Sequence, residues 1–193
     1  SLANDHPTEQ RYAISLAFYC NKHGEVFLES DKTEDALGLF SRVTTIREEV
    51  HKGNPNNQSL YDLAASYTVL ANIMNQLERT DEAIAVLCKE IILREQLVKD
   101  YPDVTEYANQ LGMTQRNIGL AHVKLGQTSH AVEYYNKVTA RMEQLVKEEP
   151  ENPVHAFALA YSYTELVDVF ETIGQTEESR VLYQKAIKIG EQL

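Results

Sequence analysis

Apolar residues recur along this chain at helical spacing. Leu63, Tyr67, Leu70, Met74 and Leu77 are three or four residues apart, which lays one apolar stripe along a helix. A polar phrase then interrupts the stripe: a threonine, acids, a small residue, and a new apolar run. Nearly the same phrase occurs four times, as KTEDALGLF from residue 32, RTDEAIAVL from 79, QTSHAVEYY from 127 and QTEESRVLY from 175. Its threonines, Thr33, Thr80, Thr128 and Thr176, stand 47, 48 and 48 residues apart. A fixed period of that size predicts stacked copies of one structural brick.

Other landmarks keep the same period. A leucine precedes a small residue at Leu16-Ala17, Leu63-Ala64, Leu111-Gly112 and Leu159-Ala160. Twenty residues after each leucine stands Ala36, Ala83, Ala131 or Ser179, and four later Phe40, Leu87, Tyr135 or Tyr183. Pro55, Pro102 and Pro150 stand nineteen residues after Ala36, Ala83 and Ala131. Each unit therefore reads as two helices. The threonine is expected to stop the first and cap the second, its hydroxyl accepting from a free amide of the new turn. Acids such as Asp81 and Glu82 then face the positive end of the helix dipole. The second helix breaks ahead of the proline. Small residues at fixed places let the paired helices approach closely.

This pattern resembles the tetratricopeptide repeat, with small residues at Gly24, Ala71 and Gly119, glycine at the turn in Gly126 and Gly174, and alanine at Ala36, Ala83 and Ala131. Asp31 and Glu78 stand in place of the turn glycine in the first two units, and Glu90 stands where the family usually has alanine. The units exceed the family's 34 residues by 13 to 14, so both helices are about two turns longer, as in the long-helix arrays of large bacterial proteins. The resemblance implies an all-α fold: a right-handed superhelix, or α-solenoid, of stacked antiparallel helix pairs in four repeats, at about 8–54, 55–101, 102–149 and 150–193. Residues 1–193 are expected to form a single array. Leu2, Val50, Leu97, Leu145 and Leu193 share one place in the repeat, so the chain reads as a piece cut from a longer protein. Weak end-to-end self-association is expected through the orphaned faces of Leu2 and of Val181, Leu182, Ala186 and Ile189.

Composition narrows the functional classes. A hydrophobic content of 43% supports a sizeable core. No apolar run approaches the ~20 residues of a membrane span, so no membrane partner is expected and the reading is cytoplasmic. A formal net charge of −11 opposes a phosphate backbone, which argues against nucleic acid. Cys20 and Cys88 read as reduced thiols in helices. No two of the six histidines share a metal-site spacing, His122 reads as an interior residue, and no nucleophile has a companion base. No cofactor, metal site or catalytic centre is expected.

What is left is surface. In tetratricopeptide arrays the first helices line a concave groove, and the resemblance carries that role to Phe18, Asn21, Glu25, Leu28 and Glu29 in the first unit. It falls on Ala65, Thr68, Asn72, Asn75 and Gln76 in the second, and on Met113, Arg116, Leu120, Val123 and Lys124 in the third. The fourth contributes Tyr161, Thr164, Asp168, Glu171 and Thr172. Asparagines, a few charges and scattered apolar residues suit an extended peptide, whose backbone needs paired donors and acceptors. The principal binding residues are then Asn21, Glu25, Glu29, Asn72, Asn75, Arg116, Leu120, Lys124, Tyr161 and Asp168, and acids at both ends favour a basic partner. The carboxylate-clamp variant of the family does not fit, because Thr68, Tyr161 and Glu165 fill its basic places. The leading expectation is a protein- or peptide-binding scaffold. The alternative is a sensor that binds a small molecule or signal peptide and controls an attached effector domain.

Overall fold

The computed structural model describes residues 7–191, and among them the periodic pattern becomes eight α-helices with no strand. They are α1 (Pro7–Glu29), α2 (Thr33–Gly53), α3 (Asn57–Gln76), α4 (Thr80–Asp100), α5 (Thr105–Lys124), α6 (Thr128–Glu148), α7 (Pro153–Thr172) and α8 (Thr176–Gly190). Leu2 and Leu193 lie outside the described residues. The chain divides into two compact units, one up to Thr114 and the other from Gln115 on, the division falling within α5. In the first unit α1 packs on α2, α2 on α3 and α3 on α4. In the second, α6 packs on α7 and α7 on α8. Each unit is thus a stack of antiparallel helix pairs, and the fold is all-α.

The small residues sit where the helices touch. Ala36, Ala83 and Ala131 are wholly buried and Ser179 nearly so. Opposite them, each first helix trades volume with the ring on its partner. A Cβ on Gly24 would lie 2.6 Å from the Phe40 ring, and one on Gly119 would lie 2.9 Å from Tyr135. Where the second helix carries the smaller Leu87, the first helix carries Ala71, and both are buried. In the fourth repeat Val167 fills that place and Tyr183 is left 43% exposed. A second recurring contact is polar. The Tyr67 hydroxyl donates to Glu48 at 2.5 Å, and the Tyr163 hydroxyl donates to Glu143 at 2.6 Å. Burial and the neighbouring carboxylate both push these phenols above their ordinary pKa.

The reversal inside each pair corrects the capping expectation. Thr33, Thr80, Thr128 and Thr176 are the first helical residues, not the caps. The cap positions are Lys32, Arg79, Gln127 and Gln175, none of which makes a side-chain cap bond. The cause is that one residue serves two helices. Asp31, Glu78, Gly126 and Gly174 take positive φ, and the next amide donates back five residues, to Phe27, Met74, His122 and Phe170. This closes the first helix in a Schellman turn and starts the second at once. Side-chain caps occur at Asn56, in a reciprocal box with Ser59, and at Asn152, which accepts from the Val154 amide.

Left-handed backbone is costly for residues with a Cβ. Glu78→Gly, which installs the residue found in the third and fourth turns, is expected to stabilise the first unit by about 0.5–1 kcal/mol. Glu95→Gly, inside α4, is expected to cost about the same amount. Urea midpoints check this; a fall for Glu78→Gly would contradict it.

Candidate functional site

Within the first unit, α1, α2 and α3 enclose a cavity of about 420 Å³, partly open to solvent. Ile14, Phe18 and Asn21 line it from α1, Arg47 from α2, and Ser59 and Asp62 from α3. Phe18 is exposed and meets Tyr19 edge to face. Arg47 is half-buried, and its Nη1 donates to the Asp62 backbone carbonyl at 2.8 Å. Burial holds its pKa below the ordinary value, while the Asp62 charge acts in the opposite sense. Asn21 donates to Glu25 at 2.7 Å, and Lys22 reaches the second oxygen of the same carboxylate at 2.7 Å. Glu25 is therefore already neutralised within its own helix, and Glu29 stays exposed.

Along α3, Asn72 is exposed, whereas the side-chain oxygen of Asn75 is buried and accepts no bond. Thr68 turns towards Glu90, the residue that departs from the family's alanine. The Glu90 carboxylate is 1% exposed, and its Oε1 accepts from Thr68 at 2.6 Å, Thr114 at 2.9 Å and Arg94 Nε at 3.2 Å. Its other oxygen is buried without a partner. Arg94, also buried, donates to Gln110 and packs over the Tyr61 ring. Gln110 donates on to the Tyr61 hydroxyl at 2.9 Å, and the Tyr61 and Tyr107 rings meet at 5.9 Å. Thr68, expected on the groove, is thus spent inside the protein.

In the second unit Arg116 and Tyr161 come together. The Arg116 guanidinium pairs with Glu165 at 2.5 Å, donates to the Tyr161 hydroxyl at 3.2 Å and lies over that ring. The Glu165 hydrogen bond, more than its charge, holds the guanidinium above its ordinary pKa. Lys124 and Asp168 are exposed, as is Leu120 at its margin, while Glu171 accepts from Ser179. Val123 packs against the core around Ala131. Tyr161 also borders a shallow apolar groove with Phe157, Tyr183 and Ile187. Of the residues expected to be orphaned on α8, Leu182, Ala186 and Ile189 pack against Tyr163 and Leu159, and Val181 is exposed.

His122 is buried, hydrogen-bonded to Gln127 at 2.6 Å and stacked on His130 at 5.1 Å. Among the described residues no three His, Cys, Asp or Glu side chains are grouped to hold a metal. No described helix is long and apolar enough to cross a membrane, and both cysteines are free thiols. Arg47 and Arg94 join the site without having stood out in the sequence, and Glu165, read there only as filling a basic place of the carboxylate clamp, joins it as the partner of Arg116. The available signal was register: Arg47 and Arg94 each stand eleven residues after Ala36 and Ala83.

Residues 117–141, running from α5 into α6, match the tetratricopeptide repeat family profile. No curated protein matches the chain in sequence. Among solved structures, BtubC (BKLC) from P. vanneervenii shares the fold with a TM-score of 0.71 at 15% identity, over 93% of this chain and 65% of its own. Aspartyl phosphate phosphatase F from Bacillus subtilis gives 0.66 at 16% identity, over 93% and 41%. The Rap conjugation gene regulator of plasmid pLS20, solved in complex with the Phr* peptide, gives 0.50 at 17%, over 98% and 44%. The chain spans less than two thirds of each neighbour's length, and at these identities the likeness is one of fold. One tetratricopeptide repeat, at residues 117–141, is thus matched by the family profile, and the helix-pair fold of the chain is shared with these neighbours.

Proposed function

We propose that the chain is a protein- or peptide-binding scaffold segment whose ligand lies along the first helices. The observation that carries this reading is the cavity of about 420 Å³ between α1 and α3, where an exposed aromatic, an amide and a guanidinium converge. Convergent polar groups at the edge of an apolar recess are the usual anatomy of a recognition site. The exposed amide of Asn72 continues the same helix face and can both donate to and accept from a peptide backbone. A neighbour of the same fold is solved with a peptide bound, which supports a peptide as the ligand class.

Intramolecular pairing revises the charge a ligand meets. Glu25 is offset by Lys22, and Arg116 by Glu165, so Glu29, Lys124 and Asp168 carry the selection. The sensor reading shares the cavity and differs in the consequence of binding: a change of shape passed to a further domain.

The test begins with peptides enriched from a random display library on the intact chain. Asn72→Ala/Asn75→Ala is expected to weaken the enriched peptides about tenfold, the loss of one or two backbone bonds at ~1 kcal/mol each. Glu133→Ala, on α6 and paired with Lys137 on its own helix face, serves as the remote control. A loss in the control with none in the asparagine variant would place the ligand on the other face.

A further inference from the structure

The cavity beside Arg47 has a counterpart one repeat later, and there it is filled by the protein itself. Moving on by one period, Ile14 becomes Tyr61, Asn21 becomes Thr68, Val43 becomes Glu90, Arg47 becomes Arg94 and Ser59 becomes Tyr107. In the later copy the two tyrosine rings close the space, Arg94 packs over one of them, and the Glu90 carboxylate sits on Arg94 and Thr68. In the earlier copy Ile14 and Ser59 lack those rings, so the space stays open. Val43 offers no acid. Among the described residues Arg47 forms no ion pair, and its bond to the Asp62 carbonyl uses one of five guanidinium donors. Where the next repeat seats a carboxylate directly on its arginine, Arg47 meets only the charge of Asp62 across the cavity, without an ion-pair contact.

We infer that this cavity binds a carboxylate of the ligand on Arg47, in the role Glu90 plays on Arg94, with the Asn21 amide beside it where Thr68 stands. The guanidinium fork matches a carboxylate in two parallel hydrogen bonds. Charge balance favours a monoanion: Arg11 and Arg47 line the recess together with Asp62, which leaves one positive charge, so a phosphate dianion would bring uncompensated charge into it. The carboxylate comes from an Asp or Glu side chain of the bound peptide or from its C-terminus. That choice of source rests on the peptide reading above; the affinity of the cavity for a carboxylate does not.

The experiment follows the arginine Nε–H and asparagine side-chain amide signals of the 15N-labelled chain during titration. The probes are N-acetyl-glutamate N-methylamide, its glutamine isostere, and N-acetyl-alanine, which carries only a terminal carboxylate. The Arg47 signal is expected to move saturably with at least one acid and about tenfold more weakly, or not at all, with the glutamine isostere. A response to the glutamate probe alone assigns a side chain, and a response to N-acetyl-alanine alone assigns a C-terminus. Arg47→Met, which copies Met142 of the third repeat, is expected to abolish the Asn21 response, while Asp62→Asn strengthens binding. Equal responses to acid and amide, or no saturable response to any acid, overturn the inference. If the acids bind Arg47 but library-selected peptides do not use the α1–α3 face, the scaffold reading fails and the carboxylate site stands.

Discussion

Arg94→Met is expected to destabilise the first unit by about 3–5 kcal/mol, because it leaves the Glu90 carboxylate buried without its cation. Glu90 has little recourse: one of its oxygens is already unpartnered, and two threonine hydroxyls on the other do not replace a charge. The double variant Glu90→Val/Arg94→Met is expected to recover most or all of that loss. It rebuilds the apolar pair that the third repeat carries at the same places, Val138 and Met142. Exchanging a buried ion pair for packed apolar groups is often neutral or favourable by ~1–4 kcal/mol. The freed hydroxyls keep acceptors, since Thr68 also reaches the Ala64 carbonyl and Thr114 the Gln110 carbonyl. Chemical denaturation of the single and double variants measures both steps. A double variant no more stable than the single one would mean that the pair is held by specific geometry rather than by charge balance.

The second large effect lies at the helix contacts. Ala83 and Ala131 are wholly buried, one in each compact unit. Glutamate at either place adds volume to a closed contact and buries an unpaired charge, at about 3–5 kcal/mol. Thr80→Ala is expected to cost only ~1 kcal/mol, through lost packing of a buried methyl, because Thr80 makes no cap bond. Denaturation midpoints order the three variants. Equal midpoints would mean that the alanines do not sit at the closest approach of the helices.

The helix pairs are legible in the sequence because the constraint that makes them is periodic. A close helix contact needs a small residue, and Ala36, Ala83, Ala131 and Ser179 announce it at every turn of the repeat. The turn chemistry is only half legible. Gly126 and Gly174 advertise positive φ, but Asp31 and Glu78 adopt the same backbone without the residue that signals it. Threonine reads as a cap and is not one, because a three-residue reversal leaves a single residue both to end one helix and to begin the next.

At the site, residue types are visible in the sequence and their partners are not. Arg116 and Glu165 are 49 residues apart, about one period, and pair only once α5 and α7 are side by side. Glu25 reads as available to a ligand, yet Lys22 and Asn21 already hold its carboxylate. Arg47 escapes a reading confined to first helices, because the cavity it lines depends on how α2 sits beneath them. That cavity emerges from two junctions compared, Ile14 and Ser59 against Tyr61 and Tyr107, which no single repeat displays.

The placement of the ligand on the first helices is tested most directly by backbone amide shifts. The labelled chain is measured with a library-selected peptide added at saturation. The largest shifts are expected around Phe18, Asn21 and Asn72, with little change around Ile92 and Glu133 on the second helices. Shifts concentrated on the second helices, with α1 and α3 unmoved, would contradict that placement.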